Sequence, residues 1–361
     1  MSDYYMTGSH RRRDERDEVW HQSKNAHYFD GDGILTVAEA MQLGNMYDMI
    51  VGTAPLQAEL IGGALVPVKN RFALTIDDTP WSDDTIVLRR IVGNRYEPMQ
   101  NWRLAEILEG LNVHWPVEGT MVLKNGEIVI VQLKIDEFAV GNMPEEQHFS
   151  YLTAANDHIQ GGIMWLRTDI RTVCWNTYSA SLTSLDKIRL PHSQHSDATL
   201  SFLAKVEEET VKSQKATVEQ LNTLFTTQIN KDEFADIVDA AFPMPKKTTR
   251  MKIADIAAAG QVDGDVADTF FELVGKDKET VDWKAERQQT LRTAVGAAYN
   301  RFNEEHAYAA ETAYGAFNAI TEVVNHSDLF TGAKDKQMVS LIFGQKATIQ
   351  QKAWEAAVDL I

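Results

Sequence analysis

Residues 120–135, TMVLKNGEIVIVQLKI, decide how this chain folds. Two runs rich in Val and Ile flank Asn125-Gly126, the dipeptide that most readily takes the positive φ angles of a two-residue turn. The stretch predicts an antiparallel β-hairpin. Upstream, DMIVGTAPLQAEL and ALVPVKNRFALTI are strand-like, and Gly62-Gly63 between them predicts a second hairpin. Ile86–Val92, Ser150–Ala154 and Met164–Val173 read as further strands. Thr36, with Glu39 three residues on, predicts a capping box opening the helix TVAEAMQLGN, which stops near Gly44-Asn45. Pro98 precedes a helix, NWRLAEILEGL, in which Trp102, Ala105, Leu108 and Leu111 are expected on one face. These patterns predict an α+β fold: an antiparallel sheet with packed helices, followed by a mainly helical C-terminal region.

Beyond about Ser196 the spacing becomes helical, through Leu200, Leu203, Val206, Val218, Leu221, Leu224 and Phe225. KDEFADIVDAAF makes a shorter helix before Pro243 and Pro245. Trp283 to about Asn325 reads as one long helix, and Ala347–Leu360 as the last. In residues 1–18, Arg11, Arg12 and Arg13 are followed at once by Asp14, Glu15, Asp17 and Glu18, so the terminus reads as a self-neutralising, disordered arm. The expected organisation is this arm at 1–18, an α+β sheet domain at 19–192 and a helical region at 193–361.

The formal net charge of −17 argues against a surface that coats duplex DNA throughout. It leaves room for a local basic groove, because screening confines charge effects to about 8–10 Å. The single cysteine, Cys174, excludes an internal disulfide framework and any multi-cysteine zinc site. No apolar run approaches the ~20 residues of a membrane helix, and no apolar core follows the N-terminal charges, so neither a membrane nor a secretory signal is expected.

Tyr151–Leu182 concentrates polar and basic groups in an apolar, strand-rich stretch. Buried polar groups must find partners, so this is either a network that fixes the fold or a ligand site. Asn156, Asp157, His158, Asn176 and His192 are the expected polar network. Trp165, Arg167, Arg171 and Trp175 are candidate nucleic-acid contacts, the indoles stacking bases and the guanidinium groups holding phosphates. Lys246, Lys247, Arg250 and Lys252, in the basic linker PKKTTRMK, would add phosphate contacts. Cys174 is expected to be buried and inert, and Arg171 with Asn176 to hold a strand-to-helix junction. Trp102 and Trp115 are expected in the core.

The order of these motifs resembles the phage/plasmid-like protein family, an uncharacterised domain of unknown function found on phages, plasmids and bacterial genomes. The resemblance rests on Trp20-His21, on Gly93, Tyr96, Pro98 and Asn101, and most strongly on RTVCWNT at Arg171–Thr177. Ile188, Arg189 and His192 follow, and TAYGAFNAITEVVNH at Thr312–His326 resembles the family's C-terminal helical element. The chain departs from the family at Asn156-Asp157-His158-Ile159-Gln160-Gly161-Gly162, where relatives carry an Asn-Ser-His-Asp-Gly-like turn. The resemblance implies a mobile-element setting and the cytoplasm of a bacterial host, and supplies no reaction.

Three functions follow as expectations. The first is a homo-oligomeric protein that binds single-stranded nucleic acid, with strand annealing in replication or recombination as its role. The second is a metal-assisted hydrolase on nucleic acid or nucleotide, using Asp157, His158, His192 and His195 with Arg167 or Arg171 stabilising developing charge. The third is a non-catalytic interaction or anti-defence protein presenting its acidic surface to a basic partner. No phosphate-cradling glycine loop and no defined ligand set is visible, so no cofactor and no metal is expected, and catalysis is not favoured.

Overall fold

The computed structural model describes residues 10–11, 26–29, 35–79, 81–174, 176–181, 190–191, 200–244, 283–330 and 334–361. Trp20-His21, Trp175, Ile188, Arg189, His192, His195, Lys246, Lys247, Arg250 and Lys252 lie outside the described residues, as does most of the 1–18 arm. The chain divides into two compact units, residues 1–222 with 330–348 and residues 223–329 with 349–361.

The first unit contains the sheets. Strands β1 (His10–Arg11), β2 (Ala26–Phe29), β6 (Val117–Leu123), β7 (Ile128–Ala139), β8 (Gln147–Asp157), β9 (Gly162–Arg171) and β10 (Asn176–Ser181) run in the order β1-β2-β6-β7-β8-β9-β10. A short β11 (Leu190–Pro191) pairs with the start of β9. A second sheet is formed by β3 (Ile50–Glu59), β4 (Leu65–Asp77) and β5 (Ile86–Val92), in chain order. Every pair is antiparallel, and the α+β class holds.

The β6–β7 hairpin forms where the sequence places it, with a longer turn than expected. Leu123 pairs with Ile128, so four residues make the loop. Lys124, Asn125 and Gly126 all take positive φ (51°, 56° and 96°). Packing sets this shape: a Cβ on Gly126 would lie 2.6 Å from Met49 and 2.7 Å from Ile76.

Helix α1 (Val37–Leu43) opens with the predicted Thr36–Glu39 capping box. With α2 (Asn101–Asn112) it packs on one face of the large sheet. Met41, Leu104, Leu108 and Leu111 share a core with Val51, Leu74, Ile76 and Leu88 of the small sheet and with Val131, Leu152 and Trp165 of the large one. Trp115 joins that core; Trp102 does not, remaining 41% exposed. At 100° per residue, Trp102 sits about 200° from Leu104, across the helix from the buried stripe. Helix α3 (Leu200–Thr226) begins in the first unit. Helix α7 (Lys334–Phe343), not expected from the sequence, touches both β6 and β10, at opposite ends of the curled five-strand run.

β3 and β4 continue outward as a ribbon. Beyond Val51 on one strand and before Leu74 on the other, no residue is buried. Ladder pairing runs from Ile50–Asp77 to Pro55–Phe72 and resumes at Gln57–Pro67, leaving Val68–Arg71 of β4 unmatched.

The second unit is helical: the end of α3, α4 (Lys231–Ala241), α5 (Trp283–Glu305), α6 (Ala313–His326) and most of α8 (Gln345–Val358). Aromatic pairs hold it, with Phe234 stacked on Tyr299 at 4.2 Å and Phe317 edge-on to Trp354 at 5.2 Å. The single long helix expected over 283–325 is two. Ile229 and Ala313 donate backbone hydrogen bonds to Glu311 and Thr227, drawing the chain aside. Glu311 takes φ 56°, and Thr312 then caps α6 by accepting from the Gly315 amide. Among the described residues no helix is long and apolar enough to cross a membrane.

Candidate nucleic-acid interface

The polar turn after β8 and the loop before α2 meet in the core. Asn101 opens α2 fully buried, and its Nδ2 donates to the Met46 carbonyl at 3.1 Å. Its Oδ1 accepts from Asn156 Nδ2 and from His158 Nε2, each at 3.1 Å. Asn156 also donates to the Met99 carbonyl. Burial, and then the nearby Arg90 guanidinium, push the His158 imidazole down to about 3, so it is neutral. Arg90 crosses Gly161 to donate to the His158 carbonyl at 3.0 Å while lying over the Tyr96 ring. A Cβ on Gly161, whose φ is +71°, would come within 2.4 Å of that guanidinium. Asp157 accepts from the Gln160 amide and closes the turn. Residues singled out far apart in sequence, Tyr96, Asn101, Asn156 and His158, thus form one assembly that fastens α2 to the sheet.

A second assembly lies further along the same sheet. Arg167, Asp169 and Arg171 alternate on β9 and face the same side as His148 and Ser150 of β8. Arg167 Nε donates to Asp169 at 2.9 Å, and Ser150 donates to the same carboxylate at 2.6 Å. Arg167 Nη1 reaches α3, donating to the Ser213 carbonyl and hydroxyl at 2.7 and 2.6 Å. Arg171 makes a two-pronged bond to Glu146 at 2.7 and 2.6 Å and donates to Cys174 Sγ at 3.2 Å. Burial, the largest effect, pushes the neighbouring His148 imidazole down to about 4.

Trp165, on the same strand, is buried and lies 5.7 Å from the Phe202 ring of α3. Three of the candidate contact residues, Trp165, Arg167 and Arg171, are therefore brought together and all buried, the two guanidinium groups bonded to protein groups and the indole packed near Phe202. Asn176 opens β10 opposite Arg171, so the junction there runs from strand to strand, not strand to helix. Cys174 is half-buried. Glu146, Ser150, Asp169 and Ser213 complete the assembly and were not singled out in the sequence. Asp169 lies between two arginines in the pattern, but nothing local pointed to Glu146 or Ser213.

Exposed cations occur elsewhere. Lys69 and Arg71 flank Asn70 (φ 57°) on the unmatched stretch of β4, and neither has an ion-pair partner among the described residues. At the root of this ribbon, Gln100 holds the β3 edge, accepting from the Val51 amide at 3.0 Å and donating to its carbonyl at 2.7 Å. Two residues on from Gln100 stands the exposed indole of Trp102.

Among the described residues no group of three or more His, Cys, Asp or Glu side chains is placed to hold a metal ion. Asp157 and His158 lie inside the core. No curated protein and no solved structure matches the chain. A family model, the domain of unknown function DUF932, matches residues 89–342, which run from β5 through both buried assemblies into α7. The chain belongs to the DUF932 family.

Proposed function

We propose that the protein binds single-stranded nucleic acid along the β3–β4 ribbon. The observation that carries this reading is the pair of exposed cations, Lys69 and Arg71, on an unmatched stretch of strand with no carboxylate engaging either one among the described residues. Phosphate contacts dominate the affinity of nucleic-acid binders, and cations already tied to carboxylates contribute little. Trp102 supplies an exposed aromatic face near the ribbon's root, where a base can stack for about 1–3 kcal/mol. The net charge of −17 repels a phosphate chain from the rest of the surface and so confines it to this strip.

The setting we infer, from the resemblance to phage/plasmid-like proteins, is the cytoplasm of a bacterial host. There a homo-oligomer would serve replication or recombination by annealing strands. The hydrolase reading loses support, because Asp157 and His158 are committed to the core. Fluorescence anisotropy of a labelled single strand tests the proposal. Wild type binds at low salt, the Lys69→Ala/Arg71→Ala pair weakens binding at least ~10-fold, and Trp102→Ala weakens it by about 1–3 kcal/mol. Wild type that ignores the strand at low salt overturns the reading.

A further inference from the structure

Helices α7 and α8 meet at a corner of one residue, Gly344. The first turn of α8, as far as Thr348, belongs to the first unit together with α7. The Ser340 hydroxyl of α7 accepts from the Lys346 amide at 3.2 Å and so caps the corner. Lys346 turns its side chain back toward α7 and is only 2% exposed. Its ammonium lies 5.2 Å from the centre of the Phe330 ring and reaches Gln337 Oε1 only at 3.5 Å. Three donors thus share one long bond and an aromatic face, and no carboxylate among the described residues pairs with them.

Lysine is almost never buried to this degree without a partner, because a cation taken out of water with no counter-charge is costly. Giving up the proton relieves that cost. Burial, the sole cause, pushes Lys346 down to about 8 from an ordinary 10.5. The surrounding elements supply no compensating charge among the described residues. Phe330 and, on α7, Gln337 and Ser340 are uncharged, and Lys336 of α7 is exposed. Glu118 of β6 is taken up by Tyr151 and Lys134. Tyr178 of β10 stands opposite Asp169, on the side of the sheet that carries Arg167 and Arg171.

We propose that Lys346 is a proton-operated latch: without its proton it packs α7 against the start of α8, and with it the corner opens and α7 loosens from β6 and β10. An opened corner puts the amine in water, where it keeps its proton up to about pH 10.5. Closing the corner expels that proton between about pH 10.5 and 8, and below about 8 buries it. The sign follows: opening becomes easier as pH falls through this window, by about tenfold per unit, and levels off below it. Because α7 touches strands at both ends of the curled run, the latch acts on the closure of the large sheet. It does not depend on the β3–β4 ribbon or on nucleic-acid binding.

Hydrogen exchange of the full chain from about pH 7 to about 9.5, wild type against Lys346→Met, is the test. The ratio of the two rates at each pH cancels the intrinsic chemistry of exchange. In residues 336–348 wild type is expected to exchange faster at about pH 7, and the ratio to fall at least ~10-fold by about pH 9.5. Lys346→Arg, which keeps its charge throughout, is expected to exchange fast in this segment at every pH. A ratio that stays flat with pH overturns the proposal. So does a pH-dependent change spread evenly over β7, β8 and β9, which would make Lys346 a part of global stability and no latch.

Discussion

Arg171 shows why residue type alone left two readings of the central cluster open. In the sequence it alternates with apolar residues beside Trp165 and Trp175, as a phosphate-holding arginine on a stacking sheet would. In the fold its guanidinium is spent on Glu146, 25 residues away. Such a pair is costly to break, because the surviving partner stays buried and charged. Arg171→Ala is expected to lower the urea-unfolding free energy by about 3–5 kcal/mol. Removing both charges together, as Arg171→Met/Glu146→Gln, costs markedly less.

The two buried histidines give a pH signature. Burial pushes His148 down to about 4 and His158 to about 3, against an ordinary 6.5. The unfolded chain therefore takes up protons in this window that the native chain refuses. Their contribution to stability is complete above about pH 6.5 and is lost as pH falls toward 4 for His148 and toward 3 for His158. Between pH 6 and 5, His148→Gln should reduce the slope of stability against pH by up to about 1.4 kcal/mol per unit. An unchanged slope in paired denaturation curves would show that the imidazole is not held neutral.

At the scale of elements, local signals were legible and tertiary ones were not. The Thr36–Glu39 box, the Asn125-Gly126 hairpin and the Gly62-Gly63 turn all depend on residues within a few positions, and each forms. The break between α5 and α6 depends on pairing with residues 227–229, which lie over 80 positions upstream. A Thr312 cap without Glu or Gln three residues on was too weak a local sign of it. Likewise the strand pattern of β9 could not say which face α3 would cover, because the clamp runs from Arg167 to Ser213.

The sequence of β3 and β4 predicted strands, but exposure is a tertiary property, and only the fold reveals a ribbon standing off the core. Since its outer half buries nothing, replacing Leu56–Asn70 with a short Gly-containing turn should change thermal stability by less than about 1 kcal/mol. The same deletion should abolish strand binding. A truncated chain that melts early would place the ribbon in the core after all.

For the whole molecule, net charge and local charge act in opposite senses. A chain at −17 gains nothing from broad electrostatic attraction to nucleic acid, so any binding must come from a few contacts at one place. The most direct measurement is the salt dependence of single-strand affinity, compared between wild type and Lys69→Ala/Arg71→Ala. Each phosphate contact contributes a slope of about −0.7 in log affinity against log salt. The wild-type slope is predicted to be steeper than that of the variant by about 1.4, with the variant binding more weakly at low salt. Equal slopes and equal affinities would mean that the ribbon cations touch no phosphate, and would contradict the account.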